Sequence, residues 1–194
     1  MLPFSQRPGL LAFGTLPAAA AIIVGLNGLY LLLVAFNNIT DPDTNFAFVR
    51  HVLAMDTTNF GQAPGTNLDP DVMWRAVTIP WVHTAAYGIL IAWEALSAVV
   101  LLTAFVFWIR ERGSSYRTAR ALSTIGLCML LALFMGGFVT IGGEWFQMWK
   151  STAWNGLDPA FRNSVLALAG LILIHMPSDY WRRPDRATGS RPRS

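Results

Sequence analysis

A single cysteine, Cys128, excludes an intrachain disulfide and any cysteine-built metal cluster. It lies in an apolar run and reads as a small packing residue. Charge is scarce as well: 13% of the residues are charged and 54% are hydrophobic, against roughly 25% charged in a soluble domain. With a mean hydropathy of +0.43, a membrane-embedded single domain follows. Recognisable catalytic signatures are also missing. There is no glycine-rich phosphate loop, zinc-protease histidine pair, serine nucleophile elbow or pair of glycosidase carboxylates. No catalytic residue and no metal site is therefore assigned, and the chain is not expected to be an enzyme. The opening MLPFSQRP lacks the layout of a cleaved signal peptide, so Met1 is expected to belong to the mature protein.

What the sequence does contain is four long apolar runs. The first, residues 18–36, is a match to the hydrocarbon thickness at about 1.5 Å per residue, with Pro17 suited to its first turn. The second covers 80–109 and is long enough to tilt or project. The third covers 121–142, where Gly136 and Gly137 are expected to allow close helix approach. The fourth, 159–180, starts after an Asp158-Pro159 cap and has a short apolar part, so it is expected to continue past Pro177 or to be partly interfacial. The fold class is thus all-α: a polytopic four-transmembrane-helix bundle over residues 1–181, with aromatic outer loops and a basic tail, 182–194. No internal repeat stands out.

The net charge of +3 does not point to nucleic acid, because the basic residues gather between and after the apolar runs. Arg7, Arg110, Arg112, Arg117, Arg120, Arg182, Arg183, Arg186, Arg191 and Arg193 fall on one side. Arg50, Arg75, Lys150 and Arg162 fall on the other, offset by seven carboxylates. Cytoplasmic flanks retain positive charge, so both termini are expected inside. Trp74, Trp81, Trp145, Trp149 and Trp154 then lie near the outer boundary and Trp108 and Trp181 near the inner one, where the amphipathic indole is favoured. Trp93 alone falls mid-membrane.

Glu94 is the residue most in need of a reason. A carboxyl in the middle of the second run costs at least ~2.5 kcal/mol if it faces lipid, so it must face protein or water. His83, Tyr87, Leu90, Glu94 and Ser97 share one side at helical spacing, a polar line entering from the outer end. Asn27, mid-way along the first run, is expected to meet Glu94 and donate an amide hydrogen bond. Asn27, Tyr87 and Glu94 are the intramembrane polar candidates. They serve either a proton or cation path or ligand lining, or a protonated acid that fixes packing.

The histidines raise the question of haem. His51 in the outer loop and His83 at the outer end of the second run are weak candidate ligands; His175 is at the opposite end. The outer loop from Phe46 to Met55 has a helical apolar rhythm suited to a membrane surface, and Asp56-Thr57-Thr58 follows as a second capping signal. Arg50 and Arg75 are available to pair with Asp56 or Glu144. Such a lid could be structural, or could hold a quinone or lipid. Asn38-Ile39-Thr40 matches a glycosylation acceptor, too short a signal to inform.

The strings FVRHVLAMDTT and GGEWFQMWKSTAWNG, with AFR following, and the His83 and Glu94 segment together resemble the bacterial predicted small integral membrane protein family of unknown function. The resemblance runs from the first span through the fourth and implies a four-helix inner-membrane protein. It carries over Arg50, His51, Asp56, His83, Glu94, Glu144, Trp145, Trp149, Trp154, Asn155 and Gly156 as motif residues. The leading functional expectation is a non-catalytic accessory subunit of a respiratory or photosynthetic membrane complex, among membrane lipids and other integral subunits. The alternatives are a small proton-linked transporter or channel using Glu94, and a haem- or quinone-binding redox anchor.

Overall fold

The structure is a computed structural model that describes residues 14–182. Arg7 and most of the basic tail lie outside the described residues. Five α-helices occur in the order α1 (Leu16–Thr40), α2 (Pro42–Ala54), α3 (Pro80–Arg110), α4 (Arg117–Leu131) and α5 (Leu157–His175). The last turn of α4 runs without a break into a π-helix, Ala132–Trp145. Among the described residues there is no strand. Four helical stretches are long and apolar enough to cross a membrane, Leu16–Thr40, Pro80–Arg110, Arg117–Trp145 and Leu157–His175, with mean hydropathies of 2.3, 2.3, 2.2 and 1.4. The last value reflects the polar first turns of α5.

Local chemistry sets the ends. α1 continues four residues beyond Phe36, because Asn37 to Thr40 still form helical hydrogen bonds although the apolar run has stopped. It ends at Asp41, whose ψ of 72° has left the helical region, which the residue before Pro42 disfavours. α2 ends at Met55 in the left-handed region, φ 54°. Turns follow it, so Asp56-Thr57-Thr58 starts no helix; the Thr58 hydroxyl instead bonds back to Met55 O at 2.8 Å. α5 stops at His175, since Met176 before Pro177 is extended (ψ 137°). The chain does not continue as helix to Tyr180 but makes a short 3-10 turn, Asp179–Trp181.

α1 packs on α3, α3 on α4, α4 on α5, and α5 closes back onto α1. The close approaches are at Gly25 against Phe105, Gly28 against Leu101 and Leu102, Gly126 against Leu101, and Gly170 against Leu127 and Ile23. A methyl group at Gly126 would stand 2.6 Å from Leu101. Gly136 and Gly137, expected to serve this purpose, have open space where a side chain would begin. The π-helix turns them away from a neighbouring helix; its wide register shows in Phe146 N bonding to Ile141 O at 3.0 Å and Thr140 Oγ1 to Met135 O at 2.8 Å. Cys128 is exposed on the apolar outer surface and packs no core.

One end of the bundle carries the arginines. There the Trp108 indole donates to Ser123 Oγ at 2.9 Å, and Tyr116 and Trp181 pack against its ring. Arg120 donates to Ile174 O at 2.9 Å and covers Trp181, tying α4 to the end of α5. The opposite end is capped by α2 and two irregular segments, 55–79 and 146–156.

Candidate functional site

Three polar clusters lie at or just beneath the capped end. The innermost is built around Glu94, which is 3% exposed. His83, Tyr87, Glu94 and Ser97 share the buried face of α3, as their spacing requires. The partner of Glu94 is Asn38, not Asn27. Asn38 Nδ2 donates to Glu94 Oε2 at 2.7 Å, while Asn27 Nδ2 turns back to Ile23 O at 2.8 Å in its own helix. Helix register explains the correction. Gly25 faces Phe105 and Gly28 faces Leu101 in the antiparallel pair, so the last turns of α1 come level with Glu94. Asn38 is in turn held from both sides: Asn45 Nδ2 donates to its Oδ1 at 2.6 Å, and Tyr87 Oη donates to its backbone carbonyl at 2.9 Å. Asn45 is exposed on the first turn of α2. A continuous line of hydrogen bonds therefore runs from the surface through Asn38 to a buried carboxyl. Beyond Glu94, towards the arginine end, the buried positions of α3 are Ser97, Ala98, Leu101 and Ala104, and Ser97 Oγ is spent on Trp93 O. With its own amide and carbonyl so engaged, Asn38 is buried and unsuited to glycosylation.

The second cluster is the lid. His51 Nδ1 lies 2.8 and 2.9 Å from the two Asp56 carboxylate oxygens, and Arg50 stands 3.1 Å from His51 Nε2. An N–H at Nδ1 donating to Asp56, with Nε2 accepting from Arg50, satisfies both contacts at once. Asp56 is thus taken by His51 rather than by Arg50. The Trp154 ring stacks on His51 with centroids 4.7 Å apart. Asn155 Oδ1 accepts from Leu157 N at the start of α5, and a side chain at Gly156 would run into Phe48 and Phe138. Thr57 and Ser151, 3.0 Å apart, and Lys150 with Asp69, 3.7 Å apart, join the two irregular segments. Trp149 lies edge-on to Phe60 and beside the Lys150 ammonium.

The third cluster is at the end of the π-helix. The Arg75 guanidinium lies 5.4 and 5.2 Å from the ring centroids of Trp74 and Trp145, which meet edge-to-face beside it, and donates weakly to Trp145 O at 3.4 Å. Glu144 is exposed and makes no ion pair among the described residues, so neither expected pairing of Arg75 with a carboxylate occurs.

The histidine rings are each engaged. His83 Nε2 donates to Val77 O at 2.7 Å, closing the loop that precedes α3, and His175 at the arginine end meets Thr124 Oγ1 at 3.0 Å. Neither His51 nor His83 is left as a ready pair of axial ligands, and among the described residues no three His, Cys, Asp or Glu side chains gather as a metal site. Sequence reasoning missed Asn38 and Asn45. No sequence periodicity marked the pair, because Asn38 and Asn45 lie on two helices separated by the non-helical Asp41.

Residues 16–177 match the family described as Predicted small integral membrane protein (DUF2165). No curated protein and no solved structure matches the chain.

Proposed function

The chain belongs to this family of small integral membrane proteins, and on that premise we propose that it is a proton-linked membrane component loaded from one side. The observation that supports the reading is the Asn45, Asn38 and Glu94 line, which joins an exposed amide to a buried carboxyl. A carboxyl inside a membrane bundle is costly and needs a purpose. The line ties it to the capped end, with apolar packing towards the arginine end. Its proton exchanges when water from the capped side enters the α1 and α3 seam, the amides holding the carboxyl rather than relaying the proton. Such a site takes up and returns a proton on one face; transfer across requires the α1 and α3 seam to move. The charge asymmetry supports an orientation with the arginine-rich end in the cytoplasm and the capped end outside.

The test is proton movement in vesicles holding the purified protein, driven by a pH gradient and read with an entrapped dye. Flux above empty vesicles that Glu94→Gln removes supports the reading, since glutamine does not titrate. Equal flux in the variant, or none in the parent, overturns it.

A second reading, an accessory subunit of a larger assembly, draws on a different observation. Asn163 Nδ2 donates to Tyr30 Oη at 3.0 Å between α5 and α1, and Tyr30, 42% exposed, leaves this polar pair accessible at the bundle surface. Polar side chains on such faces join helices of neighbouring subunits. Mild-detergent purification with native mass measurement tests it: a heavier complex that Asn163→Leu dissociates supports it, and a solitary monomer under all gentle conditions counts against it.

A further inference from the structure

We infer that the end of the π-helix and the lid together form a binding site for one phospholipid with a phosphoethanolamine head. The head would sit in an open recess of about 630 Å³ lined by Arg75, Thr140, Ile141, Glu144, Trp145 and Phe146. This recess holds one cation and one anion that do not neutralise each other: Arg75 and Glu144 both line it without forming an ion pair. The Arg75 guanidinium makes one weak hydrogen bond, to Trp145 O at 3.4 Å, which leaves terminal N–H groups for an acceptor in the recess. A phosphate oxygen is the acceptor that a guanidinium fits. Glu144, exposed and without an ion pair, offers its carboxylate to the ammonium of the same head. An anionic head lacking an amine would meet Glu144 as a like charge.

The tail has its own place. A second cavity, about 140 Å³ and almost entirely apolar, lies between α2, α3 and the π-helix. It shares Ile141 and Phe146 with the recess and extends along Val52, Leu90, Gly137 and Met148. Gly137 contributes no side chain there, which leaves the slot open. Trp74 and Trp145, 68% and 48% exposed, pack edge-to-face against each other beside the Arg75 guanidinium, as tryptophans at the headgroup level do. A charged recess at that level that adjoins an apolar slot inside the bundle is the shape of a lipid site, independent of whether Glu94 carries protons.

The experiment is native mass measurement of the full chain from detergent, titrated separately with phosphatidylethanolamine and phosphatidylglycerol of matched chains and with free phosphoethanolamine. Phosphatidylethanolamine is expected to be retained at roughly tenfold lower concentration than phosphatidylglycerol, the order of one charge-assisted hydrogen bond. Glu144→Gln should remove that preference while leaving the fold intact, because the side chain has no ion pair to lose. Arg75→Gln should weaken both lipids, and Gly137→Leu should weaken the lipids by filling the slot. The proposal is overturned if the parent binds both lipids equally or if Glu144→Gln keeps the preference. It is overturned too if free phosphoethanolamine binds as well as the lipid, or if a quinone extracted from the purified protein is displaced from the slot by Gly137→Leu.

Discussion

Asn38 stands 2.7 Å from Glu94 across fifty-six residues of sequence, and it can donate to that carboxyl only because α1 outruns its own apolar stretch. Glu94→Gln keeps a carbonyl for Asn38 to donate to, so it should leave folding nearly unchanged. Glu94→Ala strands the Asn38 amide at a cost of ~1–3 kcal/mol. Interhelical hydrogen bonds in membranes average nearer ~0.6 kcal/mol, so the lower part of that range is expected. Reversible unfolding in mixed micelles measures the difference, and equal losses in the two variants would mean that the carboxyl itself, not the volume or the Asn38 bond that glutamine keeps, governs this position.

The lid gives a separate contrast. His51 bonds Asp56 and stacks on Trp154. His51→Phe keeps the stack and loses the hydrogen bond, whereas His51→Ala loses both. The alanine variant should be the less stable by about 0.5–1.5 kcal/mol, the worth of an aromatic pair. Amide exchange in residues 50–60 and 150–156 reads this locally; identical protection in both variants would rule the stack out as a contributor.

Gly126→Ala and Gly88→Ala separate packing from backbone freedom. At Gly126 the new methyl runs into Leu101, and a loss of ~1–3 kcal/mol is expected from overpacking. At Gly88, in the interior of α3 with nothing near, alanine should stabilise the helix by roughly 0.5–1 kcal/mol. Thermal unfolding of the two variants against the parent decides it, and opposite signs are the expected result.

Orientation is testable apart from function. With Cys128→Ser as background, Ala63→Cys in the capping segment should react with an impermeant thiol reagent added outside intact cells. Ser114→Cys in the arginine-rich loop should react only after permeabilisation. The inverse pattern would place the arginine end outside.

The four spans were legible in the sequence because an apolar run of bilayer length with charged flanks has little use except to cross a membrane. The helix of the outer loop was legible too, from the rhythm around Phe46 to Ala54. Register was not. Nothing in α1 or α3 alone says which residues come level, so Asn27, nearer the middle of its run, looked a better match for Glu94 than Asn38. Asn38 was further hidden because hydropathy ends at Phe36, whereas the helix ends where its hydrogen bonds do. The glycines at 136 and 137 misled for a related reason: a small residue permits close approach only if it faces a neighbour, and the π-helix rotates that face. Of the lid motif, His51, Asp56 and Trp154 do converge, although the sequence marked them only as members of two separate strings.

The closure of α5 onto α1 bears on how the chain is assembled. Tyr30 and Asn163 are 133 residues apart, and the α3 and α4 contacts are all made between segments that leave the ribosome earlier. Until the last span enters the bilayer, the bundle is a three-walled trough whose open side presents Ile23 and Leu127, the two residues that meet Gly170 in the finished structure. Synthesis therefore passes through a stage in which surrounding acyl chains stand in for α5, and completion of the protein is the exchange of those lipids for its own final helix.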